Sequence, residues 1–111
     1  MSQKYKVIWS NIAEKDLLRI VENLATDLLR FSVSLFNEIR EKTSYLYEMP
    51  YRGCIVPELQ THGILQHREI LIKSWRMIYR IFEEDVYVLG VFDSRQNIED
   101  VILDRLIFST E

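Results

Sequence analysis

The chain is predicted to fold as a single α+β domain: an N-terminal strand, a two-helix hairpin, a run of antiparallel strands forming a sheet, and a short C-terminal helix. Three observations carry that expectation. Apolar residues recur at helical spacing through residues 11–49, then alternate at strand spacing from about residue 68 to 92. Gly and Pro total five in 111 residues and 48% of the chain is hydrophobic, an ordered composition of single-domain size. The order, helices first and strands after, predicts a helical hairpin on one face of a mostly antiparallel sheet.

Residues 5–9 are short, β-prone and alternating, and predict the first strand. Ser10 or Asn11 caps the first helix, and Asn11 with Glu14 fits a capping box. Ile12, Ala13, Leu17, Ile20, Val21, Leu24 and Leu28 supply its apolar face. Thr26-Asp27 is the break, with Asp27 as the next cap. The second helix is expected to run to about Met49, burying Phe31, Leu35, Ile39 and Leu46, with Phe36 or Tyr45 beside them. Pro50-Tyr51-Arg52-Gly53 ends it with strong turn chemistry. Residues 54–59 read as a short strand whose Pro57 suits a sheet edge or a strand end. A polar connection around Gly63 leads to strands at about 68–73, 76–82 and 86–92, with Glu83-Glu84-Asp85 as a hairpin turn. Residues 93–97 form a polar loop, and Asn97 caps a final helix that packs through Ile98, Val101, Ile102, Leu103 and Leu106.

Charge is distributed unevenly. The chain as a whole carries −3, yet residues 51–80 hold Arg52, Arg68, Lys73, Arg76 and Arg80 against only Glu58 and Glu69, while residues 81–111 sum to −6. A basic centre beside an acidic tail can contact a polyanion without the whole protein being basic. On a strand, Arg76, Ile78, Arg80 and Phe82 share one face and Met77, Tyr79 and Ile81 the other. Arginines placed there mark either an exposed sheet edge or the floor of an anion-binding surface. A structural alternative pairs Arg76 with Glu83 or Glu84 across a hairpin, and Trp75 and Tyr79 read as core.

The lone Cys54 permits no internal disulfide and fits a reducing compartment. The start, Met1 to Lys6, has no signal-peptide core, and no apolar run approaches the ~20 residues of a membrane span. A cytoplasmic protein is expected. His62, His67 and Cys54 match no standard zinc spacing, so neither metal nor cofactor is expected.

Several strings, in order, resemble the RelE/ParE superfamily of bacterial toxins. They are Ala13-x-x-Asp16-Leu17-x-x-Ile20, Leu46-x-x-x-Pro50-x-x-Gly53, Val56-Pro57-Glu58-Leu59, Arg68-Glu69-Ile70, Trp75-Arg76-Met77-Ile78-Tyr79-Arg80-Ile81 and Val88-Leu89-Gly90-Val91-Phe92-Asp93-Ser94-Arg95-Gln96-Asn97. The resemblance spans about residues 5–105. It implies a toxin of a type II toxin–antitoxin system, able to inhibit growth and stabilise a plasmid, and silenced by a cognate antitoxin as part of a homodimer or heterotetramer. Two activities occur on the scaffold: ParE-like binding of DNA gyrase, and RelE-like cleavage of mRNA on the ribosome.

For cleavage, the resemblance assigns charge stabilisation to Arg76 and Arg95, which fall on the family's motif. Arg68, Lys73 and Arg80 are read beside them as target-binding cations, with no functional motif position of their own. The Tyr or His that RelE-like toxins carry near the C-terminus has no counterpart here, since residues 96–105 contain neither. Glu58, Glu69, His62, His67 and Tyr79 remain as acid or base candidates, and spacing selects none. The acidic tail also opposes ribosome binding, which rewards cations through counterion release. The expected function is therefore gyrase binding, with the endonuclease as the alternative and an antitoxin-binding member without toxicity as a third.

Overall fold

The alternating segments form one sheet, and the segments of helical spacing cover it. The computed structural model describes residues 5–25, 29–94 and 98–108. The elements in order are β1 (Lys6–Trp9), α1 (Asn11–Ala25), α2 (Leu29–Ser44), β2 (Cys54–Ile55), α3 (Pro57–Gln60), β3 (His67–Ile72), β4 (Trp75–Phe82), β5 (Asp85–Asp93) and α4 (Glu99–Leu103). Tight 3-10 turns at Tyr45–Tyr47 and Pro50–Arg52 lead from α2 to β2, and α4 continues as a π-turn over Asp104–Phe108. The five strands lie in the order β1-β5-β4-β3-β2, with β1 parallel to β5 and the other pairs antiparallel. The arginine-bearing β4 is thus the middle strand, not an exposed edge.

Alternation along β4 divides the core in two. Trp75, Met77, Tyr79 and Ile81 pack with Ala13 and Leu17 of α1 and with Leu35 and Ile39 of α2. Ile78 points the other way and packs with Phe92, with Val56 and Leu59 around α3, and with Ile98 and Ile102 at α4. The helical hairpin therefore covers one face, as expected, while the short α3 and α4 cover part of the second. A bulge at Leu89 absorbs one residue between the pairs Ile78–Gly90 and Tyr79–Val88.

One open alternative is resolved and three local expectations are corrected. Of the two candidate caps, Ser10 takes the role: its Oγ accepts from the Ala13 N–H at 3.1 Å. α2 ends at Ser44 rather than near Met49. The Tyr5 N–H donates to the Tyr47 carbonyl at 2.7 Å, a bond that holds the chain beyond α2 against the N-terminal strand. Tyr45 is consequently exposed. Residues 57–60 form α3, not strand, because Pro57 has no N–H for a ladder and its fixed φ suits a first helical turn. The N–H groups of Leu59 and Gln60 then close on the Val56 carbonyl. Ile12 and Val101, expected to be buried, are 42% and 46% exposed. Thr26-Asp27, Leu28 and Asn97 lie outside the described residues, as do the side chains of Leu24 and Phe31.

Two polar links hold the layers together. β1 stops at Trp9, opposite Val88, but β5 runs on to Asp93, so the Val91 N–H has no strand beside it. The buried Asp16 of α1 accepts that N–H at 3.0 Å. Arg105, whose guanidinium lies 4.8 Å over the Phe92 ring, reaches the same carboxylate at 3.0 Å. Asp16 thereby ties the hairpin layer to the C-terminal segment around the open sheet edge.

The second link is Tyr79. Its hydroxyl donates to the Pro50 carbonyl at 2.7 Å and accepts from the Gly53 N–H at 2.9 Å. A side chain at residue 53 would put Cβ 2.5 Å from both the Glu69 carbonyl oxygen and the Tyr79 hydroxyl, which is why the turn ends in glycine. Tyr79→Phe removes both bonds and leaves two buried main-chain groups unsatisfied. We expect a loss of about 1–3 kcal/mol by urea unfolding, with the fold retained.

Candidate functional site

The face of the sheet that carries α3 and α4 also carries Arg76. Its register neighbours are Leu71 on β3 and Phe92 on β5. Glu69, two residues back from Leu71, stands on the same face, and Pro57 starts the turn that delivers Glu58 from above. The Arg76 guanidinium meets Glu58 fork to fork, Nη1 to Oε2 and Nη2 to Oε1, both at 2.6 Å. Its Nε donates to Glu69 Oε1 at 3.0 Å, and Nη2 reaches the same oxygen. The Arg76 and Glu69 side chains are 9% and 11% exposed, Glu58 24%.

Electrostatics follow from that enclosure. The bond from Arg76 holds the Glu58 carboxyl below the usual carboxylate range, against the opposing effect of burial. Arg76 is in turn held protonated more firmly than a free guanidinium, chiefly by Glu58. One cation with two carboxylates leaves a net negative centre. A phosphate arriving there would have to displace a bidentate carboxylate. The partners are Glu58 and Glu69, not the hairpin carboxylates Glu83 or Glu84.

The remaining predicted cations do not gather around Arg76. Arg68 belongs to the opposite face, where it donates to the Gly53 carbonyl at 2.7 Å and lies 5.2 Å over the Tyr51 ring. Lys73 occupies the β3–β4 turn in a left-handed conformation, φ 56°, with its Nζ 3.6 Å from Glu38 of α2. Arg80 shares the Arg76 face but sits four residues further along the strand, roughly 13 Å away at 3.3 Å per residue. Arg95 lies outside the described residues.

Among the acid and base candidates, Tyr79 faces the helices, and burial pushes its phenol up. His62 is exposed and meets Glu99 at 3.2 Å. His67 is 4% exposed, and burial, with Arg80 nearby, pushes it down toward the neutral imidazole. Sequence reasoning missed Asp16 and Arg105 as a pair. One signal was present: Asp16 sits in phase with Ala13, Leu17 and Ile20 on the buried side of α1, where an unpaired carboxylate is not tolerated.

The comparisons agree with this architecture. A family model, the ParE toxin of type II toxin–antitoxin systems, matches residues 7–98, and the chain belongs to that family. Among solved structures it is similar to the chromosomal ParDE toxin–antitoxin system of P. aeruginosa, at 15% identity over 83% of this chain and 98% of that one, with a TM-score of 0.67. It is also similar to a mutant of E. coli RelE in the free state, at 14% identity over 94% and 99% of the two chains, TM-score 0.58. The toxin–antitoxin complex RelBE2 of Mycobacterium tuberculosis matches at 18% identity over 81% and 91%, TM-score 0.55. A comparison with curated protein sequences found no match.

Removing Arg76 should strand two partly buried carboxylates. Arg76→Ala is expected to cost about 3–5 kcal/mol in urea unfolding, the range for breaking a buried ion pair. Because the folded Glu58 carboxyl titrates below the ordinary glutamate range, its stabilisation is present above that range and is lost as pH falls through the folded value. Glu58→Gln should therefore lower stability at pH near 7 and flatten the decline that begins below about pH 5.

Proposed function

We propose that this ParE-family toxin arrests growth by binding an essential cytoplasmic protein, DNA gyrase, and that a cognate antitoxin silences it by docking on the helical hairpin. The observation that carries the reading is the neutralised Arg76. Stabilising a crowded phosphate requires donors aimed at the developing charge. Here the guanidinium at the centre of the sheet has its donors directed at Glu58 and Glu69. A binding toxin has no such requirement.

One feature favours the endonuclease reading. Glu58, a quarter exposed beside an arginine, is placed as a base for a ribose hydroxyl. Its lowered pKa weakens it in that role, since an effective base titrates near the working pH. Induction of the chain without antitoxin separates the readings. DNA breaks, an SOS response and inhibited supercoiling by purified gyrase, without codon-phased mRNA cuts, are expected. Codon-phased cuts that vanish in Arg76→Ala would establish the nuclease instead. Arg95→Ala is expected to abolish arrest while leaving antitoxin binding intact.

For the antitoxin, a cavity of about 530 Å³ between α1, α2 and β1 is lined by Trp9, Leu18 and Phe36. Leu18 is 56% exposed there, a suitable anchor point for an amphipathic helix. Leu18→Glu should abolish co-purification with the antitoxin without changing the circular dichroism spectrum. Undiminished co-purification would place the antitoxin elsewhere.

A further inference from the structure

Two buried side-chain nitrogens among the described residues lack a hydrogen-bond partner: His67 Nδ1 and Arg105 Nε. Both residues line the same cavity of about 420 Å³, on the sheet face that carries α4. Arg80 and Tyr87 complete its polar side, and Phe82, Leu89 and Leu106 its apolar side. The placement follows from register. His67, Arg80 and Tyr87 are direct neighbours across β3, β4 and β5, so their side chains rise side by side. Among the described residues no carboxylate forms an ion pair with the exposed Arg80, whose guanidinium lies 5.9 Å from the Phe82 ring centre.

An unpaired buried donor costs about 1–3 kcal/mol, and native proteins keep such groups few. Both nitrogens belong to side chains that line one cavity, beside Arg80, whose guanidinium meets no described carboxylate, and one partner could serve all three. Arg105 commits its terminal nitrogens to Asp16, which leaves Nε–H, and that group can only donate. Arg80 adds a planar fork of donors. The missing partner is thus an acceptor with several oxygens and negative charge. We propose that this cavity is an oxyanion site that takes a phosphate group on Arg80, His67 and Arg105, carried either by inorganic phosphate or by a nucleoside monophosphate. Phe82, Leu89 and Leu106 offer the apolar wall that a nucleoside would use. Two groups oppose binding: Asp85, which accepts from the Tyr87 hydroxyl at 3.2 Å, and Glu83, whose charge also reaches Tyr87. They keep the site weak. The site is separate from the Arg76 cluster, where the carboxylates are internal.

Nitrogen-15 NMR titration of the full chain tests this, with inorganic phosphate, a nucleoside monophosphate and the unphosphorylated nucleoside, at ionic strength held constant with chloride. Saturable shifts at His67, Arg80 and Arg105 with a Kd of about 1 mM or tighter are expected for both phosphates and not for the nucleoside. Tighter binding of the monophosphate supports the nucleotide as the ligand, and equal binding supports the free anion. Arg80→Ala changes an exposed residue and should weaken binding about tenfold or more, and Asp85→Asn should tighten it. Shifts that do not saturate, that survive Arg80→Ala unchanged, or that the nucleoside alone reproduces would overturn the assignment. So would a crystal structure grown in phosphate that shows only ordered water on Arg105 Nε.

Discussion

The guanidinium of Arg76 constrains more of this structure than any other group. A cation buried in the middle of a sheet is tolerated only when its charge and its donors are met. Glu69 answers from the neighbouring strand, and Glu58 answers only if residues 57–60 turn into a helix above the sheet. The position of α3 is therefore coupled to β4 by charge as well as by the apolar contacts of Val56 and Leu59. The same pairing decides what the face can do. Arginines on a strand suggest an anion-binding floor, but this one is saturated internally.

Asp16 is the counterpart at the sheet's other side. A short β1 against a long β5 leaves a main-chain donor uncovered, and a carboxylate placed in the apolar stripe of α1 accepts it. Arg105 neutralises that carboxylate from the C-terminal segment. Two ionic clusters thus supplement two separate apolar cores. Glu58–Arg76 and Asp16–Arg105 join residues on different layers, so those pairs form only when the layers dock.

The remaining positive charge is divided between the two faces of the sheet. Arg68 is bound to the turn after α2 and Lys73 stands beside Glu38, both on the helical side. Arg80 stands exposed beside a cavity on the second face. Around Arg76 the described residues gather no second cation of the kind that would help stabilise a phosphorane.

How much was legible in the sequence depends on the range of the interaction. Alternation, helical periodicity and turn chemistry are local, and they sufficed for the order of elements, the two helices, the hairpin at Glu83-Glu84 and the division of β4 into an Arg76 face and a Tyr79 face. The ordered motif strings sufficed for the family. The end of α2 was not legible, because a hydrogen bond from Tyr5 determines it, some forty residues away in sequence. Nor was the conversion of residues 57–60 from strand to helix, where a proline admits either reading until the Glu58 partner is in place. The pairing of Arg76 with Glu58 and Glu69 rather than with the hairpin glutamates depends on register and layer order, which no periodicity encodes. By itself the sequence determined which residues face together along each element, since side-chain direction is a property of backbone geometry. Tertiary structure alone decided which charges meet across elements, since an ion pair depends on distances that exist only after the sheet is assembled.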